Sequence, residues 1–254
     1  MGKRHEVIGI RQTIRFEWMQ KTVNLLLAGL DVKSIRRELH EFLADKRGNG
    51  SEGKRSELTR TFVVDNLMRI WGSPVPELIS FRDALLAFLR ESPAMDLAIH
   101  WGMVSAAYPF WFNVAQQTGR LLALQEQVTH AQIINRLKEQ YGDRQTVSRF
   151  AQFVIRSFVA WGVLKDSQTK GCYEKNAPMS IADPALAALL FESVLLALSE
   201  GKSERGVLLN HPALFPFNLP VMSGDSIVLY NGRIESVRYA LDSELLKLKK
   251  IGEG

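Results

Sequence analysis

Between Val147 and Phe158 the apolar residues Val147, Phe150, Ala151, Val154, Ile155 and Phe158 follow one another at helical spacing. Only an α-helix gathers such a set on one side. The same period runs through most of the chain. Ile14, Trp18, Val23, Leu26 and Leu27 form one stripe, and Gly29 offers its stop. Ile35, Leu39, Phe42 and Leu43 form a second, opposite Lys33, Arg36, Arg37 and Glu41. Leu58, Phe62, Val63, Leu67 and Ile70 form a third, ended by Ser73-Pro74-Val75-Pro76. A fourth helix is expected from Glu77 to Arg90. The apolar stretch Met95 to Leu124 reads as two helices broken near Pro109, because proline has no N–H to donate. Its aromatics (Trp101, Tyr108, Phe110, Trp111 and Phe112) read as core, as does His100 beside them.

The richest local signals lie between Val128 and Lys175. Thr129 with Gln132 three positions later has the pattern of a capping box. Ile133, Ile134 and Leu137 then line a short helix, and Tyr141-Gly142-Asp143 makes a turn. The helix of Val147 to Phe158 follows, with Asp143 or a neighbour as its cap. After Trp161-Gly162 come two short strands around the polar turn Asp166 to Gly171. Short helix, turn, amphipathic helix and basic hairpin is the order of a winged helix-turn-helix. The expected architecture is mainly α: an all-helical domain over residues 1–125, a winged helix-turn-helix over 126–176, and a small helix-plus-hairpin region over 177–254. In the last region Asp225–Tyr230 and Arg233–Arg238 flank Asn231-Gly232, which predicts a type I′ hairpin. That region is either a second, degenerate winged module or a lid on the first.

Charge gives this pattern a function class. The formal charge is +5, unevenly distributed: residues 1–55 carry +5 and residues 129–175 carry +4, while the two remaining blocks carry −2 each. Basic blocks of this kind suit a nucleic-acid binder, though a solvated surface with uneven charge is the plainer alternative. Opposite its apolar stripe the long helix carries Arg144, Gln145, Ser148, Arg149 and Gln152, with no carboxylate after Asp143. Arginine pairs bidentately with guanine, glutamine with adenine, and hydroxyls suit phosphates. Lys165 and Lys170 in the hairpin, with Arg36, Arg37, Lys46, Arg47, Lys54 and Arg55 further upstream, are the expected phosphate contacts. Double-stranded DNA is thus the expected partner.

Several other chemistries are not supported. Cys172 is the one cysteine, so neither an intramolecular disulfide nor a cysteine zinc cluster can form. His5, His40, His100, His130 and His211 show no metal-ligand spacing. Gly48 to Arg55 approaches a P-loop, but Arg55 replaces the hydroxyl that should hold magnesium. No catalytic, metal or cofactor site is identified, and a non-enzymatic protein is expected. Ile181 to Leu198 contains Asp183, Pro184 and Glu192, so it reads as a buried helix rather than a span, and a cytoplasmic protein without a membrane partner is expected.

Asn24 to Leu30, Arg144 to Leu164 and Leu209-Asn210-His211-Pro212 together resemble the BrxA-type accessory proteins of bacterial BREX phage-defence systems. The resemblance is one of pattern over most of the chain, weakest toward the C-terminus. It implies a helical N-terminal domain, winged-helix DNA binding, and a place among other subunits of a defence complex, with no catalytic centre of its own. That family is also similar to helical RNA-binding antitermination factors, which keeps RNA open as a ligand. A protein-interaction subunit is the third reading.

Overall fold

The computed structural model describes residues 3–6, 8–46, 56–240 and 243–249. The chain is mainly helical, with small sheets. Helices α1 (Phe16–Leu27) and α2 (Val32–Ala44) form a hairpin, and Asp31 caps α2 by accepting from the amides of Lys33 and Ser34. Helix α3 (Glu57–Leu67), capped by Ser56, runs on into a π-helical turn, Met68–Gly72. After a 3-10 turn at Pro76–Leu78 come α4 (Ile79–Glu91), α5 (Asp96–Ala107) and α6 (Pro109–Leu122). Pro109 occupies the first turn of α6, where a missing N–H costs nothing.

From α6 onward one order of elements occurs twice. Helix α6 is followed by strand β1 (Gln127–Thr129), helices α7 (His130–Tyr141) and α8 (Gln145–Ala160), and strands β2 (Leu164–Asp166) and β3 (Cys172–Lys175). These strands form an antiparallel sheet in the order β1-β3-β2. Strand β4 (Met179–Ser180) then leads to α9 (Pro184–Ala197). Helix α9 is followed by β5 (Lys202–Glu204), α10 (Arg205–Leu209), β6 (Phe217–Asn218), α11 (Gly224–Tyr230), β7 (Ile234–Ala240) and β8 (Ser243–Leu248). Their sheet has the matching order β5-β8-β7, while β4 and β6 pair separately and parallel. Each unit is therefore helix, strand, two helices and two strands, with the last strand in the middle of the sheet.

The predicted hairpin over 225–238 is corrected. Asp225 to Tyr230 is helical, and the hairpin is β7–β8, one element later. The residues Ile227, Val228 and Tyr230 favour a strand locally, but tertiary contacts decide otherwise. Ser223 caps α11 by accepting from the Ser226 amide, and the Gly224 amide donates to Glu244. Asn231, expected in an exposed turn, is buried, and its amide donates to Glu192 Oε2 at 2.7 Å. The third stripe is also corrected. Leu58 is 65% exposed, and the buried face is Val63, Val64, Leu67, Met68, Ile70 and Trp71. Val63, Leu67 and Ile70 are buried as the stripe places them, Phe62 is half-buried, and Leu58 lies in the exposed first turn of α3.

The core is one continuous cluster from Ile10 to Leu246. Helix α9 is buried nearly all round, which matches its lack of a polar face. It lies against α5, where a Cβ on Gly102 would touch Leu190 and Ser193 at ordinary van der Waals distance. The turn at Pro212–Leu214 approaches α6 so closely that a Cβ on Gly119 would overlap the Pro212 carbonyl oxygen. Arg4 closes the ends of two helices: its guanidinium donates to the carbonyls of Ala106 in α5 and Leu196 in α9, and pairs with Glu77 at 3.0 Å. Carbonyls at helix C-termini are unpaired and carry partial negative charge, so a buried cation is satisfied there.

His100 is fully buried among Phe16, Trp71 and Trp161, edge to face, and neither ring nitrogen has a hydrogen-bond partner. Burial pushes its pKa down to about 3, and burial with the nearby Arg120 charge pushes that of His211 down to about 4. Both rings stay neutral in the folded protein, whereas in the unfolded chain they take up protons below about pH 6.5. Stability is then fully present above about pH 6.5 and declines toward pH 4, by up to ~1.4 kcal/mol per pH unit for each ring. Urea unfolding at pH 7, 6 and 5 should show this decline, and His100→Leu should make it shallower while leaving the share of His211. An equally steep decline in that variant would exclude His100 as a source.

Candidate nucleic-acid interface

Helix α8 is held from behind. Its apolar residues Val147, Ala151, Val154, Ile155 and Phe158 are buried as the sequence predicts, and Phe150 is half-buried. Near its C-terminus two polar contacts fix it to the segment preceding α1. The Ser157 hydroxyl donates to the Phe153 carbonyl and accepts from the Ile14 amide at 2.9 Å. The Trp161 indole donates to the Ile14 carbonyl at 2.9 Å. Trp101 and Trp111 pack on Phe158 and Trp161, with ring centroids 4.9 to 6.3 Å apart. The Trp101 indole in turn donates to the Ala213 carbonyl.

The N-terminal end of α8 is the open end. The capping box of α7 forms as expected: Thr129 accepts from the Gln132 amide, and Gln132 Oε1 accepts from the Thr129 amide. Gly142, with φ of 79° and ψ of 164°, then turns the chain through a region that side-chain-bearing residues avoid. Asp143 does not cap α8. Its carboxylate pairs with Lys138 at 2.8 Å, and the cap position falls to Arg144, which makes no side-chain cap bond. The first turn of α8 therefore holds a guanidinium, no acidic residue and no side-chain cap.

The expected site residues fall into three groups. Arg144, Gln145 and Arg149 are exposed on α8 and its cap, Ser148 is half-exposed beside them, and neither arginine pairs with a described carboxylate. Lys170 is exposed in the turn between β2 and β3, likewise without a described carboxylate partner. The second group is engaged elsewhere. Gln152 is half-buried and, with Arg156, lies near the Tyr173 hydroxyl of β3. Lys165 pairs with Glu174 at 2.9 Å, which holds that carboxyl below its ordinary range. Arg36 pairs with Asp65 at 2.6 Å, Arg37 lies 4.0 Å from Glu38, and the Lys46 ammonium sits 4.6 Å over the Phe42 ring. Arg47, Lys54 and Arg55, with the Gly48–Gly53 run, lie outside the described residues.

Sequence reasoning missed the link between α8 and the hairpin. Arg156 bonds Asp166 of β2 at 2.6 Å, so one side chain ties the helix to the hairpin. Burial raises the Tyr173 hydroxyl above its ordinary pKa, which keeps it a neutral partner. The strand β1 was also missed, for three residues are too few to show a period. Its Gln127 amide donates to Glu174 at 2.8 Å.

Among the described residues no group of three or more His, Cys, Asp or Glu could hold a metal ion, and no helix is long and apolar enough to cross a membrane. No protein-family model, curated protein or solved structure matches the chain.

Replacing Ser157 by Ala leaves the buried Ile14 amide without its acceptor. A loss of ~1–3 kcal/mol is expected in urea unfolding. An unchanged midpoint would show that this hydrogen bond does not anchor α8.

Proposed function

We propose that the chain is a non-catalytic DNA-binding protein that inserts α8 into the major groove from a winged helix-turn-helix. In this reading α6, α7 and α8 are the three helices, β1, β3 and β2 the sheet, and residues 167–171 the wing tip. The observation that carries it is the surface of α8. Arg144, Gln145, Ser148 and Arg149 project from one exposed end of a helix whose opposite side is fixed in the core. A helix fits the major groove of B-DNA, and these side chains supply donors to base edges and phosphates. The uncapped N-terminus adds backbone N–H groups and the positive end of the helix dipole. Lys170 lies in the wing turn, where such modules meet the backbone.

Engagement of the other candidates sharpens the reading. Arg156 braces the hairpin through Asp166 and Gln152 is half-buried, so base contact falls to the first two turns of α8, as it does in helix-turn-helix docking. Lys165 and Arg36 already face carboxylates, which weakens their pull on phosphate. The chain would then serve as an accessory subunit of a BREX-type defence system, as its resemblance to BrxA-type proteins implies, with DNA contact as its contribution.

Fluorescence anisotropy with a labelled random duplex at two salt concentrations tests this. The double variant Arg144→Ala, Arg149→Ala should bind more weakly, by ~1–3 kcal/mol for each bidentate arginine–base pair it removes. Its slope of log K against log salt should be shallower, by ~0.9 for each phosphate no longer neutralised. Unchanged affinity and slope in a variant with an unaltered circular dichroism spectrum would refute the assignment.

A further inference from the structure

A groove to which α8 contributes no residue lies between the first domain and the second unit. Its volume is about 960 Å³, and it is walled by Arg4, the start of α4, one side of α9 and the open end of the β7–β8 hairpin. Pockets that hold small molecules span ~300–1,000 Å³ and are mostly apolar, with a few polar groups that fix orientation. Here Pro76, Ile79, Leu196 and Leu248 supply apolar walls. Ile79 is 42% exposed, so the groove borders an apolar side chain that the fold leaves wet.

Five charged side chains also line the groove, and four of them are matched to each other. Arg4 pairs with Glu77 at 3.0 Å, and its guanidinium donates as well to the carbonyls of Ala106 and Leu196. Arg233 bonds Glu192 through two nitrogens, at 2.7 and 2.6 Å, and Glu192 is nearly fully buried. The fifth is Lys249, which is exposed and pairs with no described carboxylate. Its backbone N–H donates to the Arg233 carbonyl at 2.9 Å, which fixes the residue beside the buried pair. Among the described residues the groove therefore holds one uncompensated positive charge next to apolar walls.

We propose that this groove binds a monoanionic amphiphile, a carboxylic acid with a hydrocarbon body, its carboxylate on Lys249 and its hydrocarbon against Ile79, Leu196 and Leu248. Charge and polarity select this occupant. A cation meets Lys249 and finds both carboxylates already held by arginines. A polyanion such as nucleic acid gains one free cation and sets its phosphates beside Glu77 and Glu192. A wholly polar anion leaves the apolar walls wet, and a neutral hydrocarbon leaves Lys249 unmatched. One negative charge joined to an apolar body uses both features at once. The inference does not depend on what α8 binds.

Isothermal titration calorimetry at pH 7 with octanoate, decanoate and dodecanoate, each below its micelle concentration, tests it. Binding should saturate at one acid per chain, with affinity rising about fourfold for each methylene added, as burial of a methylene gives. Decylammonium should bind more weakly than decanoate. Lys249→Glu should weaken decanoate by about tenfold, because an attraction becomes a repulsion, and leave decanol unchanged. Ile79→Asp should weaken decanoate and decanol alike. Both residues are exposed, so an unaltered circular dichroism spectrum is expected of each variant. Absence of binding, or heat that does not saturate at one acid per chain, would overturn the proposal. So would decylammonium binding as tightly as decanoate, or a Lys249→Glu variant that keeps its affinity for decanoate or loses decanol to the same extent.

Discussion

The position of α8 depends on the contact between its C-terminal turn and the backbone of Ile14. The Ser157 hydroxyl and the Trp161 indole saturate that residue from both sides, accepting from its N–H and donating to its C=O. Both groups are buried, and buried backbone groups without partners are costly. Around them Trp101, Trp111 and Phe158 interlock, and Trp101 bonds the Ala213 carbonyl. Three segments distant in sequence therefore meet at one end of α8. The other end has no side-chain cap, the neighbouring Asp143 carboxylate is paired with Lys138, and there the exposed arginines stand. A helix rigid behind and open in front is what a reading element requires, since loosely held side chains lose affinity to ordering.

The two units show one scaffold carrying opposite surface chemistries. In the first, Arg156 ties the hairpin to α8, and three carboxylates are held in local pairs: Asp166 by Arg156, Glu174 by Lys165, and Asp143 by Lys138. In the second, Arg205 and Arg233 are held by Glu244 and Glu192, and the exposed side chains include Leu229, Tyr230 and the Asp225–Arg238 pair. Glu192 is nearly fully buried in the apolar helix α9, and the bidentate Arg233 with the Asn231 amide satisfies it. Such a buried pair fixes where the β7–β8 hairpin joins α9, because removing either partner leaves an uncompensated charge.

Much of this was legible in the sequence where local chemistry and tertiary packing agree. The capping box at Thr129, the break at Pro109 and the stripe of α8 are each stated by a few neighbouring residues, and each lies where the sequence places it. Legibility failed where distant contacts override local preference. Val228 and Tyr230 favour a strand, yet Ser223 and Glu244 make that segment a helix. Asn231-Gly232 does make a turn, closed by the Ile234 amide on the Asn231 carbonyl at 3.0 Å, but it joins a helix to a strand, and nothing near it in sequence announces the buried Glu192 that holds Asn231. The third stripe holds at Val63, Leu67 and Ile70 but not at Leu58, which lies in the exposed first turn of α3. At the candidate site, residue type and helical face were readable, but pairing was not. Lys165 and Arg36 are held by Glu174 and Asp65, which are nine and twenty-nine positions away.

On this account the open end of α8 and the turn beyond β2 touch duplex DNA while the second unit does not. Amide hydrogen exchange with and without a saturating duplex tests this most directly. Slowed exchange is predicted at residues 143–152 and 166–172 alone, with residues 224–240 unchanged by DNA. Protection absent from 143–152, or strongest in 224–240, would contradict it.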